Sequence, residues 1–352
     1  MKRIGFLTFG HWQQAPGSMT RTASDALLQT IELAVEAERI GIDGAFVRVH
    51  HFARQLASPF PLLAAIGART SRIEIGTAVI DMRYENPLYM AEDAAAADLI
   101  AGGRLQLGIS RGSPEPALRG SEAFGYVPAE DATDADLARA HAELFRAAIA
   151  GVGVAQTDPQ MTGGAGMLAI QPQSTGLPER IWWGAGTRRT AVWAAEQGMN
   201  LMSSTLLSED TGVPFDELQS EQIEMFRAAW RAAGWEREPR ISVSRSVLPL
   251  VNDLDRRYFG DRARRDGEDQ IGYLEGVAAR FGKSYVGEPD KLAHDLSQDA
   301  AVAAADTLLL AVPNQLGVAY NAHLLESFAE YIAPAIGVHP ANTPDQVSAA
   351  NA

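Results

Sequence analysis

The feature that most constrains this chain is an alternation repeated eight times: a short apolar segment, then an intervening stretch, with no hairpin turn joining successive apolar segments. Segments 3–9, 43–49, 72–79, 105–109, 181–183, 200–202, 240–248 and 306–312 are runs rich in Ile, Leu, Val, Phe, Trp or Met and are predicted to be strands. Helical patterns are predicted over 22–40, 58–70, 87–100, 133–150, 188–197, 217–233 and 318–332. In the first of these Ala26, Leu27, Thr30, Leu33, Ala34 and Ala37 share one face, and Gly41 ends it. Strands that follow one another without a hairpin lie parallel and need crossover helices. Eight such units match an α/β chain of the (β/α)8 TIM barrel type, with insertions after strands 4 and 7. A doubly wound dinucleotide fold would need Gly-x-Gly-x-x-Gly after the first strand, where this chain has Gly10-His11-Trp12-Gln13-Gln14.

At 352 residues and 46% hydrophobic, the chain is long enough for two ordinary domains or one large barrel with insertions. The alternation favours a single domain over 1–335, followed by an Ala-, Pro-, Asn- and Ser-rich tail at 336–352 that is expected to be unpacked. A net charge of -14 argues against nucleic acid and against an anionic membrane surface, so a phosphate site here must be a local positive island. The absence of cysteine excludes disulfides, thiolate metal sites and a cysteine nucleophile. The apolar start is broken at Gly10 before it reaches signal-peptide length, and no run of about 18 apolar residues occurs, so a cytoplasmic location is expected. Residues 252–284, dense in Asp and Arg, read as a long irregular loop and a candidate lid over the barrel mouth.

A barrel gathers the side chains at the C-terminal ends of its strands into one mouth. Here that collects Thr8, Phe9, His50, His51, Ala78, Val79, Ile80, Ser110, Arg111, the 184–187 turn, Ser203, Ser204, Arg245 and Pro313 to Gln315. The fourth strand, with Leu105, Leu107 and Ile109 at a spacing of two, ends on Ser110-Arg111-Gly112. A guanidinium grips phosphate in a bidentate fork, and glycine lets the backbone approach a ligand. Gly184-Ala185-Gly186-Thr187-Arg188-Arg189-Thr190 joins the next strand to a helix start, where free amides, the Thr187 and Thr190 hydroxyls and the helix dipole suit an anion. Each motif alone is equally a capped turn; side by side in a barrel they point to a phosphate site. At His50-His51, successive residues point to opposite sides, so one histidine is expected to face the mouth. Nothing beside the pair supplies further ligands, so no metal is expected. A histidine titrating near neutrality suits general acid/base work, with a structural pair packing the rim as the alternative.

In this order and spacing, several stretches resemble the bacterial luciferase-like, flavin-dependent monooxygenases over nearly the whole chain. They are Asp43-Gly44 leading to His50-His51-Phe52, Gly76-Thr77-Ala78-Val79, Asn86-Pro87 with Ala91-Glu92, and Gly103-Arg104 with Gly108-Ile109-Ser110-Arg111-Gly112. Trp183-Gly184-Ala185-Gly186-Thr187, Val286-Gly287-Glu288-Pro289 and Pro313-Asn314-Gln315-Leu316-Gly317 complete the set. The resemblance implies reduced FMN, supplied by a transiently docking flavin reductase, reacting with dioxygen to a flavin hydroperoxide that oxygenates a small organic substrate. It implies that Arg111, Gly186, Thr187 and Thr190 hold the flavin phosphate. Ala78 and Val79 would carry the ring, across a bond that is often a non-proline cis peptide in the family, and Ser110 stands where luciferase has a reactive cysteine. His50 would assist chemistry at the flavin. Where the family commonly has an acidic residue before the histidine pair, this chain has Val49 preceded by Arg48, which would suit an anionic reduced ring or an acidic substrate, or would point outward. A deazaflavin-dependent oxidoreductase on the same barrel and a non-catalytic flavin-binding protein are the alternatives. Alanine faces on the second and third helices (Ala64, Ala65, Ala68; Ala91, Ala94, Ala95) suit close helix packing, and the resemblance implies a homodimer built on this region.

Overall fold

Eight parallel strands close on themselves: β1 (Arg3–Thr8), β2 (Gly44–Val47), β3 (Glu74–Asp81), β4 (Leu105–Ser110), β5 (Ile181–Ala185), β6 (Asn200–Ser203), β7 (Ile241–Arg245) and β8 (Thr307–Ala311). The sheet runs β1-β8-β7-β6-β5-β4-β3-β2 and returns to β1, so every barrel strand is paired on both sides. This computed structural model describes residues 2–112, 116–209, 212–263, 270–274 and 277–338.

Local sequence explains the helices that cover the barrel. Thr22 caps α1 (Ala23–Ile40) by accepting from Asp25 N while the Asp25 carboxylate accepts from Thr22 N, and Gly41 closes the helix at φ 103. Asn86 accepts from the amides of Leu88 and Tyr89 to start α3 (Pro87–Ile100), which follows α2 (Pro59–Arg69). The face of α3 with Ala91, Ala94 and Ala95 is buried within the chain itself, so it is not available to a partner. Its exposed apolar residues are Tyr89, Leu99 and Ile100 instead.

The period of two in the strands divides residues between two layers. Ile4 and Phe6, Leu105, Leu107 and Ile109, and Leu308 and Leu310 pack outward under the helices. Leu7, Phe46, Trp182, Met202 and Leu309 fill the barrel interior. The floor is polar: Arg240 forks onto Glu74 at 2.8 and 2.9 Å, and Trp182 Nε1 donates to Gln106 Oε1 at 2.9 Å. The Arg240 guanidinium also lies 4.9 Å from the Trp182 ring. A plugged floor leaves the C-terminal mouth as the open end.

Three expectations change. The seventh strand does not run to Leu248: it ends at Arg245, and Val247–Pro249 leaves the barrel to pair in parallel with Tyr285–Gly287. Residues 252–284 are not one irregular loop, because they hold the helix Asp253–Ala263 and the strands Gln270–Leu274 and Val277–Phe281. These strands form a hairpin whose second strand pairs with Leu206–Leu207, just past β6. The helix was hidden by its charge, since Asp255 turns inward to accept from Tyr320 Oη at 2.8 Å. Positions 264–269 and 275–276 of this stretch lie outside the described residues. The tail packs further than expected: Ala333–Ile336 forms a 3-10 turn and Val338 is fully buried, while 339–352 lie outside the described residues.

Candidate active site

A cavity of about 580 Å³ opens at the C-terminal mouth. All seven residues expected to contact a cofactor line it: Ala78 and Val79 at the end of β3, Ser110 and Arg111 after β4, and Gly186, Thr187 and Thr190 at the β5–helix junction. The Ala78–Val79 peptide is cis. Ser110 Oγ accepts from Gly112 N at 2.8 Å, which turns the chain at the strand end. Gly112 has φ 93, and a Cβ there would lie 1.8 Å from Asp81 Oδ2, so only glycine fits.

The helix α5 beyond that junction, counted after α4 (Asp134–Ile149), runs Arg188–Glu196. Thr187 and Thr190 form a reciprocal capping box, Thr190 N donating to Thr187 Oγ1 at 3.2 Å and Thr187 N to Thr190 Oγ1 at 3.3 Å. The box absorbs two of the amides that an anion could use. A third is taken by Glu209, whose carboxylate accepts from Arg188 N at 3.1 Å and pairs with Arg188 Nε at 3.3 Å. An anionic group therefore already sits at this helix terminus, as the dipole favours.

The sequence reading missed several lining residues. Arg139 reaches the cavity from α4, its guanidinium 5.2 Å from the Trp193 ring, and Arg189 lies on the first turn of α5. Ser242 and Ser244 line the cavity from β7, whereas Arg245, expected at the mouth, is buried outside it against Asp299 at 2.7 and 3.0 Å. Strict alternation with Ile241 and Val243 was the signal that places both serines inward. Arg139 carried no such signal, because its contact arises from helix docking. Among the described residues, four arginines and one glutamate line the cavity, a positive island in a chain of net charge -14.

His50 does not line the cavity; Arg48 does. β2 ends at Val47, so the alternation expected through the histidine pair no longer holds there. Arg48 Nε donates to His50 Nε2 at 3.0 Å and its Nη1 to Ala78 O at 3.4 Å. Burial, and next the Arg48 charge, lower the His50 pKa to about 4. His51 turns away into an aromatic cluster, stacked on Tyr84 at 4.3 Å and edge-on to Phe124 at 5.1 Å. Its Nε2 lies 3.9 Å from Glu85 Oε1. Burial, then Asp81 and Asp93, raise the Glu85 pKa to about 7. His51 is lowered chiefly by burial.

A closed eight-stranded parallel barrel with an arginine-rich cavity at its C-terminal mouth defines a TIM-barrel protein. The chain belongs to the luciferase-like monooxygenase family, whose model matches residues 2–305. It is 26% identical over 201 residues to protein y4wF of Sinorhizobium fredii, covering 56% of each chain. It is 30% identical over 110 residues to the oxygenase component of the flavin-dependent trigonelline monooxygenase of Acinetobacter baylyi, covering 31% of this chain and 30% of that one. The chain thus spans little more than half the length of the first of these relatives, and less of the second. Among solved structures, the oxygenating constituent of 3,6-diketocamphane monooxygenase from Pseudomonas putida, in complex with FMN, superposes with TM-score 0.69 at 18% identity over 96% of this chain and 100% of that one. An F420-dependent secondary alcohol dehydrogenase superposes with TM-score 0.62 at 14% identity over 95% and 99%. No described helix is long and apolar enough to cross a membrane.

Proposed function

We propose that this chain is the oxygenase of a two-component system: it takes reduced FMN from a separate reductase, and dioxygen, and oxygenates a small organic substrate in the cytoplasm. The observation that carries this reading is the convergence of Arg111, Gly186, Thr187 and Thr190 with the Ala78–Val79 segment on one cavity. Its volume of about 580 Å³ lies in the range of cofactor sites. The donors fit a phosphate: three guanidiniums, Arg111, Arg139 and Arg189, and two hydroxyls surround a helix terminus that already attracts the Glu209 carboxylate.

When bound, reduced FMN supplies the electrons that activate dioxygen. The residues of the chain bind and orient it. Arg111, with Thr187 and Thr190 beside it, would hold the phosphate, and Ala78, Val79 and Ser110 would line the position of the ring. The strands Gln270–Leu274 and Val277–Phe281, the second paired with Leu206–Leu207 beside the cavity, would act as a lid that excludes water. His50 is neutral at working pH and accepts the Arg48 bond at Nε2, so it takes up a proton there only when Arg48 releases it. The exposed Tyr89, Leu99 and Ile100 of α3 supply the apolar surface for a homodimer, which light scattering tests.

The test is titration of reduced FMN into wild type and Arg111→Met under anaerobic conditions, followed by oxygen uptake. Wild type is expected to bind reduced FMN and consume dioxygen, and the variant to lose roughly tenfold to a hundredfold in affinity. Binding unchanged in Arg111→Met overturns the phosphate assignment. A deazaflavin-dependent hydride transfer is the second reading, favoured by the superposition on the F420-dependent alcohol dehydrogenase. Tighter binding of reduced deazaflavin than of reduced FMN, with no oxygen uptake, would select it.

A further inference from the structure

The four arginines lining the cavity do not form one cluster. Arg111 follows β4, Arg189 opens α5 after β5, and Arg139 comes in from α4, whereas Arg48 follows β2. Because β3 lies between β2 and β4, two strand spacings, about 10 Å of barrel wall, separate the base of Arg48 from that of Arg111. Arginine side chains are long enough to cross that gap, so the separation rests on how Arg48 is held. Arg48 is held on its own side of the cavity, by His50 Nε2 at 3.0 Å and Ala78 O at 3.4 Å. The wall next to it is apolar: Leu7 and Phe9 from β1 and its end, and Leu309 from β8, which pairs with β1.

The cavity therefore offers two separated cationic positions, with an apolar surface beside the second. A ligand anion that meets a half-buried guanidinium forms a charge-assisted bond about twice as strong as a neutral one. The apolar surface rewards a hydrocarbon body and not a second polar group. We propose that Arg48 is a specificity-determining residue that receives the carboxylate of an otherwise apolar organic acid, whose body lies along Leu7, Phe9 and Leu309. His50 serves this recognition as a positioning residue, because its bond aims the guanidinium. The proposal rests on the reading of the cavity as an oxygenase site in which the phosphate end is taken by FMN.

A panel of small aromatic and aliphatic carboxylic acids, each matched with its primary amide, is screened by ligand-observed NMR against FMN-loaded wild type, Arg48→Lys and Arg48→Met. Circular dichroism checks that each variant folds. Acids are expected to outnumber amides among wild-type binders, and their affinity to fall roughly tenfold to a hundredfold in Arg48→Met while amide binders are unchanged. Arg48→Lys is expected to retain part of the preference, since it keeps the charge without the fork. The absence of any acid preference in wild type, or its persistence in Arg48→Met, overturns the proposal. So does a matching loss of reduced FMN affinity in Arg48→Met, which would make the cation a flavin contact. Failure of wild type to bind reduced FMN overturns the cofactor assignment instead, so the two readings fail separately.

Discussion

Nε of Arg48 donates to Nε2 of His50 across 3.0 Å, so this imidazole nitrogen already holds a guanidinium. The ring proton is thereby assigned to Nδ1. This arrangement ties the histidine to the cavity through an intermediary, and it makes proton transfer and positioning separable by substitution.

His50→Ala is expected to leave reduced FMN binding within about twofold of wild type while lowering coupled oxygenation by roughly 10²–10⁴, the usual range for loss of an acid/base group. His50→Gln keeps an acceptor for Arg48 and no titratable nitrogen. Recovery of coupling in His50→Gln marks a positioning role, and no recovery marks proton transfer. Product yield per flavin oxidised is the measurement. Unchanged coupling in both variants removes His50 from the reaction.

The same residue sets an acid limit on stability. Its folded pKa of about 4 lies below the ordinary 6.5, so the unfolded chain takes up the proton first. The His50 contribution is complete above about pH 6.5 and is lost as the pH falls toward 4. Denaturant midpoints of wild type minus His50→Gln, measured from pH 7 to 4, are expected to decline along that window; a flat difference contradicts the assigned shift.

Glu85 acts in the opposite direction. Its folded pKa of about 7 lies above the ordinary 4.5, so the folded state holds the proton more tightly, and stability complete below about 4.5 is lost as the pH rises through 7. Glu85→Gln mimics the protonated form and is expected to be more stable than wild type at pH 8, by on the order of 2–3 kcal/mol at most. Equal midpoints at pH 8 would show that Glu85 ionises without cost, with His51 as its nearest partner.

Under the proposed function, Glu209 occupies ground that the FMN phosphate would need. Glu209→Gln keeps a hydrogen-bond acceptor for Arg188 N but removes the competing charge, so reduced FMN affinity is expected to rise about two- to fivefold. Thermal stability is expected to drop slightly as α5 loses its favourable N-terminal charge. A fall in affinity would mean that Glu209 shapes the cofactor site and does not compete for it.

Much of this fold was legible because strands announce themselves by short apolar runs and helices by caps. Thr22 with Asp25, Asn86 before Pro87 and Thr187 with Thr190 each act within a few residues, so adjacency in sequence suffices. That Arg111 and the 184–190 turn share one end of the cavity was legible for the same reason, since they lie at the ends of strands that pair directly. The pattern Leu105, Leu107, Ile109 signalled a strand but not its sidedness. Closure of the barrel turned those residues outward under the helices and left Gly108 and Ser110 facing in. Charge disguised the 252–284 stretch, because Asp255 is satisfied by Tyr320 and His323 from a helix more than 60 positions away.

By itself the sequence determined the eight strands, seven of the helices that follow them, the parallel direction and the local turns at strand ends, because all of these depend on propensities and contacts among near neighbours. Only the tertiary structure decided that Arg48 lines the cavity in place of His50, that Glu209 accepts from the first amide of α5 and that Arg139 lines the cavity with Arg111 and Arg189. Those outcomes depend on where separate elements dock in space, and on which buried polar group finds its partner across the barrel mouth.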